Sequence, residues 1–197
     1  MNEPPGFLGR TLRSSTSTFT FGATENTPAL PAFGELVRAE AGGAVVYGLV
    51  YEVLIEDDPF VRQIVAASAE LQPERIEDMR QRRQVPVEIS ALAIACQQEG
   101  LIYQRIPPRP PGALQPIYGC SDVERQQVLG EPFSYFHTVL NSAHCPTEEL
   151  LAAGLRRAAE SQLPGRDTAF LLRAGRELAR LLAADLPRLD AILRRLA

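Results

Sequence analysis

The sequence of 197 residues contains no lysine, so all 20 of its basic residues are arginines. This absence excludes Schiff-base catalysis by a lysine, the phosphate-binding lysine of a P-loop and a lysine general base. A GC-rich genome would produce the same arginine usage, in which case the usage carries no functional meaning.

Cysteine and histidine are also scarce. The three cysteines, Cys96, Cys120 and Cys145, lie far apart and form no C-x-x-C pair, which argues against a disulfide framework or a cysteine zinc site. We expect buried thiols instead. His144 precedes Cys145, but adjacent side chains point apart on a helix or strand, so we expect neither a metal site nor a cofactor there. His137 lies among apolar residues, which favours a core or partly buried histidine over a catalytic one.

No hydrophobic run approaches the ~20 residues of a membrane span, and the N-terminus lacks the pattern of a secretory signal. We therefore expect a cytoplasmic protein. Hydrophobic residues make up 45% of the chain and charged residues 22%, enough apolar sequence for a folded core. The net charge of −4 is unevenly distributed: residues 1–150 hold 11 arginines and 19 acids (−8), and residues 151–197 hold 9 arginines and 5 acids (+4).

The first half of the chain has the alternation of β-strands. Residues 18–21, 33–40 and 44–56 alternate in hydropathy, and Gly42 and Gly43 lie in a turn between the last two. The long strand 44–56 is apolar on much of both faces and carries Gly48 midway, which is typical of a curved sheet. The periodicity of residues 85–97 suits a helix as well as a strand, but Pro86 and the β-branched residues favour a strand, with which residues 101–106 would pair. We therefore predict an α+β fold with a small N-terminal β-barrel of about six strands over residues 1–116.

A helical insertion is predicted near residues 59–83, between two of these strands. Asp57, Asp58 and Pro59 are typical of a helix start, with helices over residues 60–69 and 73–83. With Glu56 the two aspartates could instead form a metal or acid–base cluster, but a helix cap is favoured. Residues 14–18 carry a run of hydroxyls without the surroundings of a nucleophile, so we expect a turn and strand edge there.

The proline-rich segment 107–112 is predicted to end the β region, and everything beyond it to be helical. Ser121 and Glu124 form a capping-box pattern. Further helices are predicted over residues 133–141 and 146–162, then after a cap at Asp167, and last with Pro187 in the first turn. Residues 117–197 are thus predicted to be an α-helical C-terminal domain.

Four segments of the first half carry a resemblance to a known barrel. They are Gly9-Arg10-Thr11-Leu12, Phe19-Thr20-Phe21, Phe33-Gly34-Glu35-Leu36-Val37 and Val46-Tyr47-Gly48-Leu49-Val50-Tyr51-Glu52-Val53. Their order and spacing over residues 7–120 resemble the HAS barrel, which HerA-type ATPases share with the N-terminal domains of F-type ATP synthase subunits. In that family a proline-rich segment similar to residues 107–112 often ends the barrel.

The resemblance implies assembly rather than catalysis. HerA-type proteins continue into a RecA-like ATPase domain with a P-loop, but this chain has no lysine, and its helical remainder is too short for such a domain. We therefore expect a non-enzymatic assembly or adaptor protein whose barrel contacts a protein partner, such as a HerA-like or other ring ATPase, or forms a homo-oligomer. The expected partner-binding residues are Tyr47, Tyr51, Arg80, Arg82 and Arg83.

The alternative function is nucleic-acid binding through the C-terminal arginines. Residues Arg173, Arg176 and Arg180 share one face of a helix, and Arg188 follows on the next, so that the row could track phosphates. Acidic residues interrupt the row, and no aromatic residue lies among the arginines for base stacking. A solvated helix face, or a surface that docks onto the acidic β half, is favoured over this alternative.

Overall fold

The computed structural model describes residues 6–24, 30–55 and 86–196. This part of the chain contains seven strands: β1 (Phe7–Ser14), β2 (Thr18–Thr24), β3 (Leu36–Ala41), β4 (Ala44–Ile55), β5 (Pro86–Gln98), β6 (Leu101–Tyr103) and β7 (Pro116–Gly119). It also contains five helices: α1 (Asp122–Leu129), α2 (Tyr135–Leu140), α3 (Thr147–Glu160), α4 (Asp167–Leu181) and α5 (Leu186–Leu196). The predicted helical insertion and the acidic residues 56–58 lie outside the described residues.

Six of the strands close into an antiparallel barrel. Around it the order is β2, β1, β7, β3, β4 and β5, and the pairing of β5 with β2 completes the circle. β6 follows a two-residue turn at Glu99 and Gly100 and pairs antiparallel with the end of β5. The predicted fold class, a six-stranded barrel followed by helices, is confirmed.

The proline-rich segment does not end the β region. After residues 107–112 the chain forms β7, which pairs with both β1 and β3 and closes the barrel. The segment runs beside the end of β1, where the Ser14 hydroxyl donates a 2.7 Å hydrogen bond to the Pro111 carbonyl. The prediction that everything beyond it is helical is therefore wrong for β7. The boundary drawn between residues 116 and 117 falls inside this strand.

Alternate residues of β4 face two different apolar clusters. Val46 and Val50 lie inside the barrel, whereas Tyr47 and Leu49 pack on its outer face against the helices. The register of β4 with β5 shifts between Tyr47 and Gly48, while the sheet curves round to close the barrel. A Cβ atom at Gly48 would lie 2.7 Å from a ring carbon of Phe19, so the glycine makes room for that ring in the barrel. The predicted curvature of this strand is confirmed.

The helices form a layer over the outer face of β4 and β5. α1 begins with the predicted capping box, in which Ser121 and Glu124 bond to each other's backbone N–H. α5 contains Pro187 in its first turn, also as predicted. Asp167 is the first residue of α4 and not its cap, which is Arg166. The layer is fixed to the barrel by an apolar cluster that includes Leu36, Leu92 and Ile94 of the strands and residues of all five helices.

Candidate functional site

The predicted partner-binding residues fall into different environments. Tyr47 is 2% exposed and packs beneath the helices, so its side chain is not on the surface. Tyr51, four residues further along β4, is half-buried. Arg80, Arg82 and Arg83 lie outside the described residues. Of the five, only Tyr51 is therefore placed near an open surface by the described chain.

Tyr47 belongs to a small polar cluster between the barrel and α1. Its hydroxyl lies 3.4 Å from Oε1 of Gln97. Burial, with a contribution from the nearby Glu124 carboxylate, raises the pKa of Tyr47 to about 12. Burial also raises the pKa of the Cys120 thiol beside it. Arg38 lies 3.0 Å from Glu124 and holds this carboxylate against the barrel. The cluster keeps both the phenol and the thiol protonated at neutral pH, which suits a packing role.

The outer end of β4 carries three consecutive exposed apolar side chains. Val53, Leu54 and Ile55 are 41%, 48% and 57% exposed. β5 pairs with this stretch on one side, but on the other side β3 and its preceding loop bond no further along β4 than Val50 within the described chain. Because successive side chains point to opposite faces, this end presents apolar groups on both faces and, among the described residues, an unpaired backbone edge.

A row of polar side chains crosses four strands beside this end. Arg13 of β1 lies opposite Thr20 of β2, which lies opposite Ser90 of β5, and Ser90 lies opposite Glu52 of β4. The two hydroxyls of Thr20 and Ser90 are buried and 3.1 Å apart. The row opens into a cavity of about 280 Å³ that is also lined by Ser14, Ser15, Thr18 and Tyr51.

The hydroxyl-bearing residues 14–18 form the turn and strand edge that the sequence predicts. The Ser15 side chain accepts hydrogen bonds from the backbone N–H groups of Ser17, at 3.2 Å, and Thr18, at 3.0 Å. The run therefore stabilises the connection between β1 and β2.

A second cavity of about 280 Å³ lies between β6 and the end of α1. The four consecutive residues 102–105 line one wall, and the opposite wall includes Gln127, Glu131 and Ser134. The Gln104 amide nitrogen bridges the two walls, donating to the carbonyls of Val128, at 3.0 Å, and Gly130, at 2.7 Å. No pattern in the sequence predicts this groove, because its walls come together only through the packing of α1 on the β5–β6 hairpin.

Most of the arginines proposed to bind nucleic acid form ion pairs with glutamates. Arg173 lies 3.3 Å from Glu131, and Arg180 lies 2.6 Å from Glu177 on the same helix. Arg176 is exposed. The row on α4 is therefore a mixed charged face rather than a continuous cationic one.

Arg188 is separated from that row and joins three helices. Its guanidinium donates to the Leu140 carbonyl at the end of α2, at 2.7 Å, and to the Thr147 hydroxyl, at 2.9 Å. It also pairs with Glu148 in the first turn of α3. Burial acts to raise the pKa of the Glu148 carboxyl, but hydrogen bonds from its own backbone N–H, Arg188 and Thr147 outweigh this and lower it. Arg188 thus fixes α5 to the rest of the helical layer.

Among the described residues, the remaining candidates are the three cysteines and His137. Cys96 and Cys120 are buried as predicted, whereas Cys145 is half-buried. The expectation of a core or partly buried His137 is wrong, because α2 turns Phe136 and Val139 inward and leaves His137 exposed. The described residues hold no group of three or more histidine, cysteine, aspartate or glutamate side chains suited to a metal ion. None of the described helices has the length and apolar content needed to cross a membrane.

Comparisons with known proteins do not identify a family. No protein-family model matches the sequence, and no curated protein matches it significantly. The barrel, the helical layer and the surfaces described above are therefore the basis for a functional assignment.

Proposed function

We propose that the chain is a non-catalytic assembly or adaptor protein that acts through contacts of its barrel with another protein. The barrel is of the HAS type in this proposal, and its partner is a second copy of the chain or a ring ATPase. The closed antiparallel six-stranded barrel supports this proposal, as do the order and spacing of the segments that resemble that family.

The exposed apolar end of β4 is the observation that carries the proposal. Val53, Leu54 and Ile55 follow one another without a charged residue among them, on a strand whose outer edge has no partner in the described chain. Soluble proteins usually protect such an edge with charge, a bulge or a covering segment. Contact with another protein would bury these side chains and would pair the edge.

Light scattering on the full chain tests the proposal. We expect a mass above that of the monomer, or retention of a purified HerA-type ring ATPase on immobilised chain, and loss of that association in the double variant V53R/I55R. L163R is the matched control, because Leu163 is 58% exposed but lies in the connection between α3 and α4 and not on a barrel strand. A chain that stays monomeric at every concentration and retains no ring ATPase would contradict the proposal.

Nucleic-acid binding through Arg173, Arg176, Arg180 and Arg188 is the alternative function. It has less support, because Arg188 is committed to contacts within the helical layer and two of the others are paired with glutamates. It requires a salt-dependent affinity for DNA or RNA that falls when Arg173, Arg176 and Arg180 are neutralised.

A further inference from the structure

The groove between β6 and α1 has the walls of a peptide-binding cleft. One wall is an edge strand, whose residues Ile102 and Tyr103, with Gln104 and Arg105 after them, all contribute to the lining. The other wall is the end of α1 and the start of α2. Clefts between an edge strand and a helix are a recurring site of strand addition, in which an extended peptide pairs with the strand.

The backbone hydrogen-bonding pattern of the β5–β6 hairpin leaves the N–H and C=O of one β6 residue facing away from β5. Because the turn holds two residues, the flanking Gln98 and Leu101 exchange backbone hydrogen bonds, and so do Cys96 and Tyr103 two positions further. The N–H and C=O of Ile102 therefore point away from β5. Over the described ranges, no backbone group pairs with them.

Gln104 fixes the two walls of the cleft relative to each other. Its amide nitrogen donates to two carbonyls at the end of α1, so the strand wall and the helix wall are tied together. Its Oε1 is buried and has no hydrogen-bond partner in the described chain. A preorganised cleft binds an extended segment with less loss of conformational freedom than a mobile one.

The charges at the cleft favour an acidic partner. The Arg105 guanidinium lies 4.6 Å from the ring centre of Tyr103 and donates to Gln98, and no described carboxylate forms an ion pair with it. Glu131, on the opposite wall, is already paired with Arg173. The charge left for an incoming segment is therefore the positive one of Arg105.

We propose that this cleft binds an extended segment of a partner protein, which adds a strand to the free edge of β6 and places an acidic side chain beside Arg105. Backbone bonds to Ile102 supply pairing that does not depend on the partner's sequence, and Arg105 supplies a preference for a carboxylate. The proposal is independent of the barrel contact proposed above, because the outer end of β4 contributes no lining residue to this cleft.

Peptides selected from a phage-displayed library of random linear sequences on the full chain provide the probe. We expect acidic peptides, and we expect Q127W to weaken their binding at least about tenfold, because it places a bulky side chain on the helix wall without adding a charge. V123W is the matched control: Val123 lies one turn earlier on the same helix, is 61% exposed and does not line the cleft.

A backbone variant separates strand addition from contact with the helix alone. I102P removes the outward N–H but leaves the residues that bond to β5, so the hairpin keeps its ladder. We expect at least about tenfold weaker binding with unchanged circular dichroism. Equal binding by Q127W and V123W, or a library that yields no binder, would overturn the proposal. Because V53R/I55R leaves the cleft intact, failure here and failure of the barrel proposal are distinguishable.

Discussion

The inside and the outside of the barrel are built from the same two strands with different side chains. Midway along β4 and β5 the inward positions carry small residues, Val46 and Val50 on one strand and Ala91 and Ala93 on the other, while the larger Ile89 lies nearer the start of β5. Outward positions beneath the helices carry larger ones: Tyr47, Leu49, Leu92 and Ile94. A closed barrel of six strands leaves little interior volume, whereas the outer face must reach a layer of helices. The comparison shows how one pair of strands serves two cores.

The two cores also differ in what closes them. Backbone ladders enclose the interior of the barrel, while the outer core depends on helices that side chains hold in place. The layers meet at Gly34, whose backbone φ is 83° and where a Cβ atom would lie 2.5 Å from that of Ala153 on α3. The comparison therefore predicts that substitutions in the inner core, at the contact between Gly34 and α3, and in the outermost helix α5 lower the free energy of unfolding to different extents.

The largest effect is expected from removing one buried aromatic ring from each core. F21A in the barrel and F136A in the helical layer should each lower the free energy of unfolding by about 3–5 kcal/mol, because both rings are fully buried. Since Tyr47 and Leu49 link the barrel to the outer core, we expect one urea transition in each variant by far-ultraviolet circular dichroism. Two separate transitions in F136A would show that the barrel folds without its helices.

A single methyl group added at Gly34, where the barrel meets α3, should destabilise the fold. G34A should lower the free energy of unfolding by about 2–4 kcal/mol, because it combines an unfavourable φ with a clash against α3. G43A is the control: Gly43 also has a positive φ, but a Cβ atom there meets nothing within 4 Å, so its cost should be about 1 kcal/mol. Equal losses in the two variants would show that the approach of α3 to the barrel is not close enough to matter.

The smallest effect is expected at the outermost helix. R188Q should cost about 1–2 kcal/mol, since it removes charged hydrogen bonds to α2 and α3 from a partly buried site. R180Q is the control, because the Arg180–Glu177 pair lies within one helix and is exposed, so that its loss should be near zero. Denaturation by urea measures both. A similar cost for the two variants would contradict the role of Arg188 in fixing α5.

The same site should give an acid dependence. The folded protein holds the pKa of the Glu148 carboxyl below its unfolded value of about 4.3, so the stabilisation is present above that pH and is lost as the pH falls through the folded pKa. R188Q should show a weaker fall in stability over this range than the unaltered protein. Parallel curves for the two proteins would indicate that other carboxylates dominate the acid response.

The sequence predicts local features well and distant contacts poorly. The alternation in β4, the curvature that Gly48 indicates and the capping box of α1 are local, and the structure confirms them. The sequence does not predict β7, because four residues after a proline-rich segment carry too little pattern. The sequence pattern places Arg188 on a surface, because its partners, Leu140, Thr147 and Glu148, lie about forty positions earlier in the chain. The β6 groove cannot be predicted from the sequence for the same reason.

The position of β7 has a consequence for how quickly the chain folds. Phe7 pairs with Tyr118, so the barrel closes only when the two ends of the β region meet. Contacts between residues so distant in sequence require a large loss of chain entropy before they contribute stability, and folding is correspondingly slow. During synthesis one edge of β1 stays unpaired until β7 has been synthesised. The edge of β1 that β7 covers is therefore the part of the barrel that stays exposed to aggregation for the longest time.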